Sequence, residues 1–185
     1  HSYYVDLTPK IADAFIQIGA DADKNWHTVL VGGLRAGGRG LFAIDVTDPD
    51  ELINAPAGSA RETLLRNRVM WEFTADDDRD LGMTFSEPQI VPIGDSSGTI
   101  EWYVVFGNGY NSLNGNPLFT PLDPPTNSDN DAYDLGNNTH SSKLFILKLE
   151  GPGAGTAGKW DLGVDYWKLD TAEPLASTSP AEADR

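Results

Sequence analysis

The chain has 185 residues, 39% of them hydrophobic, and carries 13 Lys plus Arg against 28 Asp plus Glu, for a formal net charge of −15. A surface this acidic repels phosphate backbones, which argues against nucleic acid as a partner; it suits cations such as Ca²⁺, although simple solubility is the plainer reading. The absence of cysteine excludes disulfide staples, thiolate catalysis and Cys-ligated zinc. No apolar run approaches the roughly 18 residues a membrane helix needs, so no transmembrane segment is expected.

In chain order, short strand signals dominate, and the 19 glycines and 12 prolines favour turns over long helices. Pro9-Lys10-Ile11 opens the first strand, and Asp21 and Asp23 fall at a hairpin tip. Thr28-Val29-Leu30-Val31 runs into Gly32-Gly33, and Leu41 to Val46 ends at Thr47-Asp48-Pro49. Between them, Leu34-Arg35-Ala36-Gly37-Gly38-Arg39-Gly40 lacks the Lys-Ser/Thr and helix of a phosphate-binding loop and reads as a wide hairpin. From Asp50 to Arg68 the chain loops out. There Ser59-Ala60-Arg61-Glu62 fits a capping box, and Thr63 to Arg66 continues it into a short helix near residues 59–67, the only helix expected. Val69-Met70-Trp71-Glu72-Phe73 forms the next strand and enters an acidic loop.

The second half repeats this order. Pro88-Gln89-Ile90 matches Pro9-Lys10-Ile11, Val104 to Gly107 matches Val29 to Gly32, Leu144 to Leu149 matches Leu41 to Val46, and Trp160-Asp161-Leu162 matches Trp71-Glu72-Phe73. A four-strand unit in tandem is the signature of a β-propeller blade. The expected fold is therefore all-β: about two four-stranded antiparallel blades of a modified propeller, with blade-like units at about 1–80 and 81–165 in a domain over 1–170. Residues 171–185 read as a linker or tail. Two blades cannot close a ring of four to eight, and the chain opens on His1 rather than Met. Both points suggest a piece of something longer, with the remaining blades as partners. A generic β-sandwich is the competing architecture. Asn111 to Ser141 is a long polar insertion, and loops of that length are usually functional or disordered.

Candidate ligands are carboxylates. Asp76, Asp77, Asp78 and Asp80 crowd one loop, and Asp76, Asp78 and Asp80 are spaced to hold Ca²⁺ through hard oxygen ligands; a solvated loop beside Arg79 is the simpler alternative. Asn127, Asp129, Asp131 and Asp134 alternate like the first half of an EF-hand loop. However, Ala132 stands where that loop needs Gly, and Asn138 where it needs Glu. Asp95-x-Ser97-x-Thr99 echoes an adhesion-type metal site but sits in a hairpin turn between Ile93 and Ile100. Gly107-Asn108-Gly109 reads as a turn and not a dinucleotide loop. His1, His27 and His140 are scattered, with His27 expected to be packed or hydrogen-bonded. No local spacing suggests a catalytic triad. The five tryptophans are expected to stitch the blades together.

Three segments, in order, carry a family resemblance: Trp26 to Pro49, Asp80-Leu81-Gly82-Met83-Thr84-Phe85-Ser86-Glu87-Pro88, and Val105-Phe106-Gly107-Asn108-Gly109-Tyr110-Asn111-Ser112. Together with Tyr3-Tyr4-Val5-Asp6 and Pro9, they resemble the C-terminal propeller of the PilY/PilC family of type IV pilus tip-associated adhesins. The resemblance implies a surface-exposed, non-enzymatic adhesion or binding module on a Gram-negative bacterium. It implies a pilus-tip location, with a periplasmic stage during assembly, and roles in pilus biogenesis, attachment and twitching motility. The implied partners are the pilus tip or minor pilins and a host or abiotic surface. It also places the family's calcium-binding Asp-rich loop beyond this chain. Two other functions compete. One is a quinoprotein (PQQ-type) dehydrogenase propeller, whose Ala-x-Asp turn and Trp are echoed by Ala43, Asp45 and Trp71, though the second copy has Lys148 in place of Asp45. The other is a purely structural scaffold.

Overall fold

The computed structural model describes residues 5–19, 23–110, 142–153 and 158–170. Among the described residues, eight strands form two four-stranded sheets, each a simple antiparallel meander. Sheet 1 contains β1 (Lys10–Ile16), β2 (Asn25–Gly33), β3 (Gly40–Asp45) and β4 (Val69–Thr74); sheet 2 contains β5 (Gln89–Gly94), β6 (Ile100–Gly107), β7 (Lys143–Lys148) and β8 (Tyr166–Asp170). Strands adjacent in sequence are adjacent in space, which is the all-β blade architecture the repeat predicts.

Strand alternation explains how each sheet is built. In β1, Ala14 and Ile16 are buried, while Ile11, Asp13 and Phe15 on the opposite face are exposed. Val29 and Val31, Leu41 and Ala43, and Trp71 and Phe73 continue the buried face of sheet 1. Sheet 2 answers with Val104 and Phe106, Phe145 and Leu147, and Tyr166. One core therefore lies between the sheets, centred on aromatic rings. Phe73 packs edge-on against Phe145, Trp160 and Tyr166 at centroid distances of 5.7, 5.4 and 5.1 Å. Phe106 and Phe145 stack at 5.5 Å. Two indoles tie the sheets together by hydrogen bonds: Trp71 Nε1 donates to the Leu149 carbonyl, and Trp160 Nε1 donates to the Glu72 carbonyl, each at 2.8 Å.

The ladders revise the sequence alignment in two places. Gly33 pairs with Leu41 and Gly107 pairs with Leu144, so Gly107 corresponds to Gly33, one residue later than the match to Gly32. The fourth strand of sheet 2 is Tyr166–Asp170, so Trp167 and not Trp160 corresponds to Trp71: Trp71 pairs with Ala43, and Trp167 pairs with Ile146. Trp160 lies in the preceding loop and turns inward, 5.3 Å from the Trp71 ring. Both tryptophans thus stitch the blades together, but they do not share a repeat position. The second sheet also extends to Asp170, past the expected limit of 165.

Two helices fill the β3–β4 connection. α2 (Ser59–Arg68) is the expected one, but its N-cap is Gly58, and no side chain caps it. Ser59 is already inside the helix, so the capping box does not form. α1 (Pro49–Asn54) is additional to the expected helix. Asp48 caps it by accepting a hydrogen bond from the Glu51 amide at 3.2 Å, and Pro49 occupies the first turn, where a missing N–H costs nothing.

Candidate functional site

The connector between the sheets, residues 75–88, runs past the ends of both and gathers the three segments that carry the family resemblance. Thr84 is fully buried; its hydroxyl donates to the Gly40 carbonyl at 3.1 Å and accepts from the Arg35 amide at 3.0 Å. It thereby ties the connector to the glycine-rich hairpin. Arg35 adopts a left-handed conformation (φ 49°) that sets its guanidinium over the Phe85 ring at 4.9 Å. On the other side, the Gly82 and Met83 amides donate to the Asn108 and Tyr110 carbonyls at 2.7 and 2.8 Å. This backbone approach requires glycine: a Cβ on Gly109 (φ 73°) would land on the Met83 carbonyl, and one on Gly82 on the Tyr110 carbonyl. The Gly107-Asn108-Gly109 segment is thus a turn, as its sequence suggests; in the 34–40 hairpin the left-handed residue is Arg35, and Gly37, Gly38 and Gly40 do not take up that conformation.

The acidic loop is part of this seam. Asp78 is buried and accepts a hydrogen bond from the Tyr166 hydroxyl at 2.9 Å; its carboxylate lies 3.1 Å from Lys168 Nζ. Asp80 lies 2.8 Å from Lys168 Nζ and 3.5 Å from Lys143 Nζ, which also reaches Asp170 at 3.1 Å. Burial pushes the Asp78 carboxyl up, with Lys168 acting in the opposite direction. Burial acts to lower the Lys143 ammonium, but the Asp80 and Asp170 carboxylates outweigh it and hold its pKa raised. Asp77 is raised by burial as well, although it accepts from the Thr74 amide at 2.8 Å. Asp76, Asp78 and Asp80 are therefore not brought together around a common point. Asp78 and Asp80 turn inward onto lysines of sheet 2, and Asp76 is exposed. Among the described residues, no three acidic or histidine side chains converge as a metal-holding group. The lysines that neutralise the pair come from sheet 2, Lys143 on β7 and Lys168 on β8, far along the chain, and sequence spacing carries no signal for them. Asn127, Asp129, Asp131 and Asp134 lie outside the described residues.

A second polar cluster sits at the start of β2. Asp45 accepts hydrogen bonds from both the Thr47 amide (2.9 Å) and its hydroxyl, and pairs with Arg68 at 3.2 Å, while Arg68 also pairs with Glu51. His27 Nδ1 lies 3.7 Å from Asp45, so His27 is packed as expected. Burial raises the Asp45 carboxyl, but the two Thr47 hydrogen bonds, His27 and Arg68 together bring it below the ordinary value. A cleft of about 540 Å³ opens beside this cluster, and its charged side chains face one another. Asp95 closes the β5–β6 hairpin, accepting from the Ser97 and Thr99 amides at 2.8 and 3.0 Å; it is a turn.

Comparison with known proteins places this geometry. The family model described as the PilY1 beta-propeller domain matches residues 1–119. The chain belongs to the PilY1 β-propeller family. A type IV pilus biogenesis factor PilY1 homolog of Xylella fastidiosa is 41% identical over 184 residues, covering 92% of this chain and 11% of the relative. The type IV pilus biogenesis factor PilY1 of Pseudomonas aeruginosa strain PAO1 is 40% identical over 176 residues, covering 92% of this chain and 13% of the relative. The chain thus spans about a tenth of the length of these relatives. The crystal structure of the Pseudomonas aeruginosa PilY1 C-terminal domain aligns with a TM-score of 0.46 at 35% identity, covering 80% of this chain and 20% of that one.

As a PilY1-type propeller segment, the chain departs from the quinoprotein pattern in its second blade. The ladder sets Ile146 and Lys148 at the positions equivalent to Ala43 and Asp45, retaining only the tryptophan, as Trp167.

Proposed function

We propose that the chain is a pair of consecutive blades in the propeller of a type IV pilus biogenesis factor. In this reading it acts as a non-catalytic binding and scaffolding element, exposed outside the cell at the pilus tip and passing through the periplasm during assembly. The observation that carries the reading is that the family match at residues 1–119 covers sheet 1, the seam and β6. The seam's charged side chains bind one another, which supports a scaffold. Flanking blades of the same polypeptide cover the outward faces of the two sheets. The insertion at 111–141 starts directly after Tyr110. In this proposal it supplies the variable surface that meets minor pilins or an external surface, with Asn127, Asp129, Asp131 and Asp134 as its Ca²⁺ ligands.

The test is an in-frame deletion of the sequence encoding this chain in its bacterium. Loss of surface pili and of twitching, with pilin still synthesised, is the expected result. Unchanged piliation and motility would refute the reading. Deleting only the codons for 112–140 should spare piliation and reduce attachment.

A further inference from the structure

The β3–β4 connection builds a groove at the strand ends of sheet 1, where β3 leaves the sheet and β4 enters it. Two arginines of α2 hold α1 in place. Arg61 donates to the Ile53 and Ala55 carbonyls at the C-terminal end of α1, and Arg68 pairs with Glu51 and with Asp45. One cleft, of about 570 Å³, opens between Asp48, Asp50, Asn54, Ala55, Ala60 and Leu64. The other, of about 540 Å³, is the cleft beside His27 and Asp45. Glu51 and Leu64 line both, so the two clefts form one groove. Its walls are apolar at Ala55, Ala60 and Leu64, and its rim is acidic at Asp48 and Asp50. Ile53 and Leu65, next in sequence to Asn54 and Leu64, are 70% and 48% exposed.

We infer that this groove docks a lysine-rich, amphipathic segment of a separate protein. Charge complementarity selects the occupant. Arg68 already answers Asp45 and Glu51, which leaves Asp48 and Asp50 as the carboxylates at the mouth, and Asp48 spends only one oxygen on capping α1. A lysine suits such a site because its methylene stem lies along apolar surface while its ammonium stays at the wet rim. A single metal ion does not suit it: among the described residues, no three acidic or histidine side chains converge on one point. Separated carboxylates answer separated ammonium groups instead. Leucines between the lysines would meet Ile53 and Leu65. The two arginine clamps fix the groove before anything binds, so little ordering cost falls on docking. Neighbouring blades pack sheet on sheet, and this groove lies on a helical connection at the strand ends, which leaves it to another protein. The inference rests on reading the chain as a binding element. Its test measures binding apart from piliation, so the two readings can fail separately.

The experiment is fluorescence anisotropy of a labelled Lys-Leu-Lys-Ala-Lys-Leu-Lys peptide titrated with the purified parent pilus factor. The wild type is expected to bind it, more weakly as salt rises. The double variant Asp48→Asn/Asp50→Asn removes the rim charges and keeps the helix cap, which Asn serves as well as Asp. It is expected to weaken binding roughly two- to twenty-five-fold. Ala60→Lys sets the chain's own ammonium in the groove and is expected to abolish binding. Asp76→Asn/Glu87→Gln removes two exposed charges elsewhere and is expected to bind as the wild type does. Near-UV circular dichroism checks each fold, and Asp50→Asn alone replaces the rim variant if that one loses its signal. Equal weakening in the rim and remote variants would overturn the inference, because the peptide would then follow the net charge of the chain. Wild-type binding by Ala60→Lys would overturn it by placing the peptide elsewhere. A parent that does not bind the peptide would overturn it by leaving the groove to its own polypeptide or to nothing.

Discussion

Replacing Gly109 with Ala should loosen the seam far more than the same change at Gly98, although both glycines have positive φ (73° and 86°). At Gly98 a Cβ meets nothing within 4 Å, so the cost is that of forcing an L-residue into the left-handed region, about 1–2 kcal/mol. At Gly109 the same cost applies, and the Cβ also strikes the Met83 carbonyl, a backbone atom that cannot rotate aside. Separating the segments breaks the hydrogen bonds from Gly82 to Asn108 and from Met83 to Tyr110. At about 0.5–1.5 kcal/mol net for each bond, Gly109→Ala should be less stable than Gly98→Ala by about 1–3 kcal/mol. Urea unfolding followed by tryptophan fluorescence reads this as a lower midpoint at unchanged slope. Equal midpoints for the two variants would refute the claim that this glycine serves close backbone approach and not merely a turn.

Lys168→Met should destabilise the chain by about 3–5 kcal/mol near neutral pH, because it strips the main counter-charge from two inward carboxylates. The raised Asp78 carboxyl sets the sign: its protonated form suits the fold, so its contribution is fully present below the unfolded value of 3.8 and is lost as pH rises through the folded pKa. The gap in Tm between wild type and variant should therefore narrow at pH 4. Asp45→Asn tests the opposite sign. The lowered Asp45 pKa contributes stability above pH 3.8 that is lost as pH falls through the folded pKa, so the variant should be less stable than wild type at pH 7 and converge with it in strong acid.

The meander was legible in the sequence because each strand is short, β-branched or aromatic, and closed by Gly, Pro or Asp. What misled the alignment was the fourth strand. Trp160-Asp161-Leu162 looks like Trp71-Glu72-Phe73, but the loop formed around the buried Asp165 turns Trp160 inward and delays the strand to Tyr166. Asp48-Pro49 ends a strand pattern in sequence, but Asp at an N-cap followed by Pro also opens a helix, as it does in α1. In sequence the acidic loop offers either Ca²⁺ ligands or a solvated turn beside Arg79, and nothing in it points to a distant lysine. Its partners Lys143, Tyr166 and Lys168 are neighbours in space alone, brought across by the packing of sheet 2 on sheet 1.

The claim that this chain is two blades of a larger propeller can be tested most directly by thiol labelling in the parent pilus factor. The chain itself has no cysteine, so Leu169→Cys, Ile11→Cys and Gly98→Cys each introduce one probe into it. The account predicts that Cys at 169 and 11 react slowly in the folded parent, shielded by flanking blades, while Cys at 98 on its exposed hairpin reacts at the rate of the unfolded chain. Equally fast labelling at all three positions would contradict it.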